Sequence, residues 1–146
     1  MSSAVIRLAL ADDQALIREG LKAILQSIDG LEVVIEADSG QRLIERLGEG
    51  EVDVIISDIR MPGLDGIEMT QRLRDDGSAI PVLLLTTFDD DELLPRATDA
   101  GAQGFLLKDV EPDDLAAAIR EVAAGGSLLQ PVTTEAVRNR YHYSDD

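Results

Sequence analysis

The stretch "DVIISDIRMPGLDG", residues 53–66, contains a buried strand that is followed at once by a turn. Val54–Ile56 form an apolar run of the kind found in the middle of a sheet. An acidic residue, Asp58, stands where the run stops, and Met61-Pro62-Gly63 just beyond it is typical of a rigid turn. A charged residue at the end of a buried strand needs a physical reason, and the rest of the chain supplies one.

Apolar runs of this kind alternate with helical patterns along the chain. Near-continuous apolar runs are typical of a parallel sheet that is covered on both faces. The predicted strands are Ile6–Ala11, Leu31–Ala37, Val52–Ser57, Pro81–Thr87 and Gly104–Lys108. Apolar residues at helical spacing, with caps and stops, predict helices at Gln14–Ser27, Ser39–Gly50, Asp65–Gly77, Asp91–Gly101 and Glu111–Gly126. The predicted fold class is therefore α/β, a doubly wound five-stranded parallel sheet with five helices and right-handed crossovers.

The composition is that of one soluble globular domain. The chain has 146 residues, of which 45% are hydrophobic and 29% charged, and this length is enough for a hydrophobic core. The absence of cysteine excludes disulfides and thiolate metal sites, and the single histidine, His142, argues against a zinc site. No apolar run reaches membrane-spanning length, and Asp12 ends the first run too early for a signal peptide. We therefore expect a cytoplasmic protein with no membrane partner.

The charge of the chain is strongly acidic. It has 29 acidic and 13 basic residues, which gives a net charge of −16. Binding to nucleic-acid phosphates needs a basic surface. We therefore expect no binding of nucleic acid by this chain alone.

Polar residues follow four of the predicted strands, at the point where each strand ends. Asp12 and Asp13 follow the first strand, Asp58 follows the third, Thr86 ends the fourth and Lys108 ends the fifth. In an open α/β sheet, ligands bind outside the carboxyl ends of the strands, so these side chains should meet at one edge. Two carboxylates about 4 Å apart repel by roughly 4 kcal/mol at an effective dielectric of about 20, so three of them need a cation. The ligand atoms are all oxygens, which favours Mg²⁺ over zinc or copper.

Together these residues predict phosphoryl chemistry. Mg²⁺ typically binds one or two carboxylates plus a phosphate, and a carboxylate can attack a phosphoryl group. The metal and the ammonium of Lys108 would then neutralise charge on the transferred group. Each residue alone also has an ordinary structural interpretation, such as a helix cap for Asp12 or a solvated charge for Lys108. The prediction therefore depends on all five residues meeting at one edge.

The same residues carry a resemblance to a known family. The segments "LADDQALIREGL", "IISDIRMPGLDGIE", "VLLLTTFDDDE" and "GAQGFLLKD" resemble those of response-regulator receiver domains, which are CheY-like. These segments are most similar to those of the LuxR/NarL-type subfamily of transcription regulators, in which a receiver precedes a helix-turn-helix domain. The resemblance covers about residues 5–126 and implies the flavodoxin-like strand order 2-1-3-4-5.

The resemblance implies a role for each site residue. Asp58 would be phosphorylated by a sensor histidine kinase in a Mg²⁺-dependent reaction. Asp13, Asp58 and the backbone carbonyl of Arg60 would bind the metal, with Asp12 helping directly or through water. Thr86 and Lys108 would bind the phosphoryl group, and Phe105 would be the aromatic switch residue, although plain core packing explains Phe105 equally well. Movement of Thr86 would then change the face formed by the fourth helix, the fifth strand and the fifth helix.

Three residues depart from the family pattern. Asp109 follows the lysine where the family often has a cis proline, and a non-proline cis bond costs about 2.5–4 kcal/mol. Thr87 is larger than the residue that many relatives carry, so we expect it to narrow access to the phosphoryl group. Pro95 falls inside the expected fourth helix, so we expect the helix to begin near Glu92, with the acids of "FDDDE" mostly outside it.

The domain prediction is a receiver over residues 4–126. Residues 127–146 would form a linker or tail, with a short helix at Thr133–Arg140, and would lead to a helix-turn-helix domain that this sequence lacks. The chain would then be either a fragment of a transcription regulator or a stand-alone receiver. Expected partners are the kinase and, in the full-length protein, the chain's own helix-turn-helix domain, while formation of a homodimer is left open.

Two alternative functions remain open. The first is a phosphate-independent interaction module on the same fold. The second is an aspartate-nucleophile phosphohydrolase of the haloacid dehalogenase type, which needs a second acid two residues after the nucleophile. Arg60 stands at that position, so a phosphoacceptor that is not an enzyme is the preferred interpretation.

Overall fold

The computed structural model describes residues 5–87 and 92–128. The predicted helix at Thr133–Arg140 and the acids Asp89–Asp91 therefore lie outside the described residues. None of the helices in the described ranges is long and apolar enough to cross a membrane.

A five-stranded parallel sheet forms the centre of the described structure. The strands are β1 (Ile6–Ala11), β2 (Leu31–Ala37), β3 (Val54–Asp58), β4 (Val82–Thr86) and β5 (Gly104–Leu107), in the order β2-β1-β3-β4-β5. Every residue of β3 and β4 is buried, as expected for central strands with helices on both faces. The predicted fold class and strand order are thus confirmed.

Helices cover the two faces of the sheet. They are α1 (Ala15–Gln26), α2 (Gly40–Arg46), α3 (Gly66–Asp75), α4 (Leu94–Ala100) and α5 (Pro112–Ala123), and a 3₁₀ turn at Leu47–Glu49 continues α2. One hydrophobic cluster joins the sheet to α2, α3 and α4, and a second joins it to α1 and α5. Both clusters pack against the sheet, so the loops after the strands are attached to a well-packed core.

Helix α4 is shorter than the predicted Asp91–Gly101. It begins at Leu94, which places Pro95 in the first turn, where an amide would lack an intrahelical acceptor in any case. Glu92 lies outside the α-helix, as expected from Pro95. At its other end the helix stops at Gly101, which adopts a left-handed φ of 98°.

The turn between β3 and α3 has a tightly packed glycine. A side chain on Gly66 would place its Cβ 2.5 Å from the carbonyl oxygen of Asp58 and 3.0 Å from the Cα of Ile59. The preceding residue, Asp65, forms a capping box with Glu68, in which each side chain accepts a bond from the other residue's backbone amide. Helix α3 thus starts directly against the end of β3.

The chain remains paired with the sheet beyond the predicted receiver boundary at residue 126. The amide of Leu128 donates to the carbonyl of Gln103 at 2.8 Å, and Leu128 bridges with Gly104 in parallel. The peptide bond between Lys108 and Asp109 is trans, since no cis bond occurs among the described residues.

Candidate functional site

Asp58 is the last residue of β3 and lies at the carboxyl edge of the sheet. It pairs in register with Leu85 of β4, and the preceding Ser57 pairs with Ala11 of β1. Its side chain is only 8% exposed. Because strands on both sides hold the backbone, the carboxylate is fixed in a narrow opening between two loops.

Asp12 and Asp13 reach the same opening from the end of β1. One carboxylate oxygen of each, together with one of Asp58, forms a group in which all three atoms lie within 4.8 Å of one another. Asp12 is buried and accepts the amide of Gln14 at 2.9 Å, whereas Asp13 is exposed. The sequence therefore predicted correctly that these three acids would meet.

Lys108 provides the positive charge of the site. Its Nζ lies 2.9 Å from Oδ2 of Asp58 and donates a hydrogen bond to it. The backbone of Lys108 is held by a 2.7 Å bond from its amide to the carbonyl of Thr86. This charge-assisted bond crosses from β5 to β3 over the end of β4, so it links three strands at one point.

The surroundings of Asp58 raise its pKa on balance. Burial raises the pKa of Asp58 most strongly, and the nearby carboxylate of Asp12 adds to the rise. The hydrogen bond and charge of Lys108, and the backbone of Arg60, act in the opposite direction. A second positive charge, in addition to that of Lys108, would therefore stabilise the ionised carboxylate of Asp58.

The donor set fits Mg²⁺. All three ligand groups are carboxylates, and opposite ligands of an octahedral Mg²⁺ lie about 4.2 Å apart. The 4.8 Å limit on the oxygen separations is only slightly larger, so an ion that keeps several waters could span the group. A carboxylate has two oxygens, so the contact of Asp58 with Lys108 leaves capacity for a metal.

Thr86 and Phe105 belong to the two strands that follow β3 in the sheet, Thr86 at the end of β4 and Phe105 as the second residue of β5. Thr86 ends β4, is 1% exposed and lies opposite Leu107 in register. Phe105 is also 1% exposed and belongs to the hydrophobic cluster that includes Leu94 and Ala97 of α4. This packing agrees with the core interpretation of Phe105, and it puts the ring in the same cluster as residues of α4.

The loop after β3 forms the remaining wall. Met61 is 7% exposed and packs into the core, while the side chain of Arg60 is exposed. Gly63 adopts a left-handed φ of 75°, which favours glycine at this point of the predicted turn. The loop therefore presents its backbone, rather than the Arg60 side chain, toward Asp58.

Sequence reasoning missed two supports of the site. Gly66 permits α3 to start against the backbone of Asp58, and the dipeptide Asp-Gly followed by Glu68 is a helix-start pattern that could have identified it. Arg18 donates from Nη1 to the backbone carbonyl of Asp12 at 2.6 Å. This second contact joins α1 to the loop after β1, and no local sequence signal predicts it.

An apolar hollow adjoins the acidic group. It has a volume of about 280 Å³ between α1 and α5, and its lining includes Ile17, Ile24, Leu115, Asp12 and Lys108. Two of its lining residues on α1 are exposed apolar side chains, Ile17 at 45% and Ile24 at 39%. Exposed apolar residues beside a charged site are typical of a surface that binds another protein.

Known proteins share this arrangement. A family model described as "Response regulator receiver domain" matches residues 8–120. The transcriptional regulatory protein LnrK of Bacillus subtilis is 38% identical over 137 residues, which are 94% of this chain and 62% of that protein. These findings confirm the resemblance of the chain to this family.

Solved structures agree. The signal receiver domain of NarL from Mycobacterium tuberculosis is 33% identical with a TM-score of 0.79, and the match covers 84% of this chain and 99% of that one. A LuxR-family two-component response regulator from Aurantimonas is 28% identical with a TM-score of 0.83, covering 94% and 99%. The chain spans less than two thirds of the length of the curated relatives that it matches first, at 62% and 65%.

Proposed function

Because this chain belongs to the response regulator receiver domain family, we propose that Asp58 accepts a phosphoryl group from the phosphohistidine of a sensor histidine kinase. The observation that carries this proposal is the position of Asp58, between two further carboxylates and the ammonium of Lys108. An oxygen of Asp58 attacks phosphorus, the new O–P bond forms, and the P–N bond breaks. The electron pair of that bond remains on the imidazole.

Asp12, Asp13, Asp58 and the backbone carbonyl of Arg60 would hold Mg²⁺. The ion supplies positive charge that offsets the charge of the transferred group. The protein's own part is positioning. The strands fix the Asp58 carboxylate, Lys108 binds a phosphoryl oxygen, and the hydroxyl of Thr86 donates to another.

Phosphorylation would act as a switch through charge. It replaces one negative charge on Asp58 by about two and adds acceptor oxygens. Attraction of Thr86 toward these oxygens would leave space beside β4, which Phe105 could fill. The face made by α4, β5 and α5 would then change shape. A local change of charge at Asp58 would thus alter a surface away from the site.

The kinase and the controlled domain are the proposed partners. The exposed apolar residues Ile17 and Ile24 of α1 line the same hollow as Asp12, which suits a partner that must bring a phosphohistidine to Asp58. The relative LnrK is a transcriptional regulatory protein that is longer than this chain. We therefore propose that in the full-length protein a helix-turn-helix domain follows residue 146 and is controlled by the receiver. Response regulators are generally signalling proteins rather than enzymes, and we assign no turnover beyond weak self-phosphorylation and self-dephosphorylation.

Binding of beryllium fluoride, a phosphoryl mimic, tests the proposal. With Mg²⁺ present, the amide signals of Thr86 and Lys108 should show saturable changes in the wild-type protein. Asp13→Asn should lower the affinity for Mg²⁺ by about tenfold or more, since the loss of even an outer-shell partner of a metal has an effect of that size. Asp76→Asn, a change at an exposed acid beyond α3, serves as the control and should behave as wild type. Absence of any response would favour the phosphate-independent interaction module, and turnover of a phosphomonoester would favour the hydrolase.

A further inference from the structure

Arg74 ties the end of α3 to the loop between α4 and β5. Its Nε and Nη2 both donate to the carbonyl of Gly101, at 3.1 and 3.0 Å, and its Nη1 donates to the carbonyl of Ser78 at 3.0 Å. A fourth bond of 2.8 Å joins Nη2 to Oε1 of Gln103. The planar guanidinium thus satisfies three acceptors from two segments at the amino edge of the sheet, opposite Asp58.

Gln103 extends this connection in three further bonds. Its Oε1 also accepts the amide of Val82 at 2.9 Å, and its own amide donates to the carbonyl of Val82 at 2.9 Å. Its carbonyl accepts the amide of Leu128, which follows α5. The end of α4, the start of β4 and Leu128 are therefore fixed to one another through the side chain and backbone of Gln103.

The two ends of α4 are held very differently. At its start, Leu93 provides no side-chain cap among the described residues, and Pro95 has no amide to donate. At its end, the glycine at position 101 has a left-handed φ, and a Cβ there would lie 2.9 Å from Cγ of Arg74. The start of α4 faces the edge that carries Asp58, whereas its end lies at the anchored edge.

We infer that Arg74 and Gln103 are positioning residues that make Gly101 a fixed pivot for α4, an inference that rests on the function proposed above. Phosphorylation of Asp58 would tilt the start of α4 and leave Gly101 and Leu128 in place. The signal would then reach a following domain through the altered surface of α4, β5 and α5, and not through displacement of the chain at its exit.

The test compares amide chemical shifts with and without beryllium fluoride and Mg²⁺. In the wild-type protein, the signals of Arg96, Ala97 and Phe105 should change, while those of Gly101 and Leu128 should stay constant. Arg74→Met removes all four bonds, so in that variant the changes should spread to Gly101. Arg72→Met is the matched control, because Arg72 lies exposed on the same helix with no side-chain bond to the described residues.

Each result has a definite meaning. A wild-type response at Gly101 or Leu128 as large as that at Arg96 would overturn the inference, and so would an Arg74→Met variant in which Gly101 remains constant. If Arg74→Met fails to fold, Arg74→Lys makes the same comparison, because the single ammonium of lysine cannot replace the forked donors of the guanidinium. A lack of response at Thr86 and Lys108 in the wild type would instead refute the proposed function, and the inference with it.

Discussion

The carboxylate of Asp58 is buried where its charge is only partly compensated. Its pKa is raised above the ordinary value, first by burial, and the bond from Lys108 does not fully offset this effect. Two unit charges 4.8 Å apart repel by about 3.5 kcal/mol at an effective dielectric of about 20, so the neighbouring acids add strain when all are ionised. The site is therefore suited to binding a cation and a phosphoryl group. In their absence, the same arrangement of acids lowers the stability of the folded protein.

Asp58→Asn should make the protein more stable at neutral pH in buffer without Mg²⁺. The pKa of Asp58 is raised on folding, so its favourable contribution is complete below the unfolded pKa of about 3.9 and is lost as pH rises through the folded pKa. Asparagine cannot ionise and avoids that loss. Urea unfolding across the acidic to neutral range should show a difference between the two proteins that grows with pH.

Magnesium provides the complementary measurement. Adding Mg²⁺ should stabilise the wild type more than Asp58→Asn, because binding to the folded state alone raises stability by mass action. Equal stability of the two proteins at neutral pH without metal would show that Lys108 fully balances the charge of Asp58.

At the residue scale, the sequence predicted the acids and the lysine but not their supports. Asp12, Asp58 and Lys108 could be placed because each follows a recognisable strand, and parallel strands bring their ends together. The bonds of Arg74 to Gly101 span 27 positions, and no periodicity indicates such a pair. Unlike Lys108 and Asp58, which both follow strands, Arg74 and Gly101 carry no signal that places them together, so their bonds could be found only from the structure.

The turn from β3 into α3 fixes the position of the Asp58 backbone. The start of α3 is held by the Asp65–Glu68 capping box and by a 2.8 Å bond from the amide of Gly66 to the carbonyl of Ile59. The closest atoms to a Cβ at position 66 belong to the backbone, which cannot rotate away as a flexible side chain could. Any side chain here must push the helix and the strand apart.

Gly66→Ala should destabilise the protein by about 1–3 kcal/mol, the usual effect of adding a carbon to a packed site. It should also slow phosphorylation, because the displaced backbone is that of Asp58. Gly48→Ala is the control, since nothing lies within 4 Å of a Cβ at that position. Urea unfolding and labelling rates of the two variants would test this, and equal stability would indicate that α3 can shift freely.

Helix α4 should be the least protected helix against hydrogen exchange. It has seven residues, begins without a side-chain cap among the described residues, and has Pro95 in its first turn. The amides of Leu94 and Arg96 should exchange much faster than those of Leu83–Leu85 in β4. Amides in the middle of α5 serve as the reference for a well-packed helix.

Protection of the start of α4 equal to that of β4 would contradict this view. The type and order of the elements were predictable because apolar runs and helical spacing are strong signals. Helix ends were less predictable, as α4 shows. Its stop at Gly101 was predicted, whereas it starts at Leu94, two residues after the start near Glu92 that Pro95 suggested.

The whole chain has a charge that restricts its partners. With a net charge of −16, it should form no specific complex with duplex DNA at physiological salt, because neutralisation of phosphates needs clustered basic residues. A gel-shift titration to about 10 µM protein, above the range of tight specific binding, would test this expectation. A tight, sequence-specific complex would contradict this expectation and show that the chain has a basic region large enough to bind DNA.

Intact-mass measurement after incubation with acetyl phosphate and Mg²⁺ tests the central claim most directly. The wild-type chain and the control Asp76→Asn should each gain the mass of one phosphoryl group, and digestion should locate it at Asp58. Asp58→Asn should gain none, because the remaining acids lack the contact with Lys108 that Asp58 has. Labelling of Asp58→Asn to the same extent as wild type would contradict the assignment of Asp58 as the phosphoacceptor.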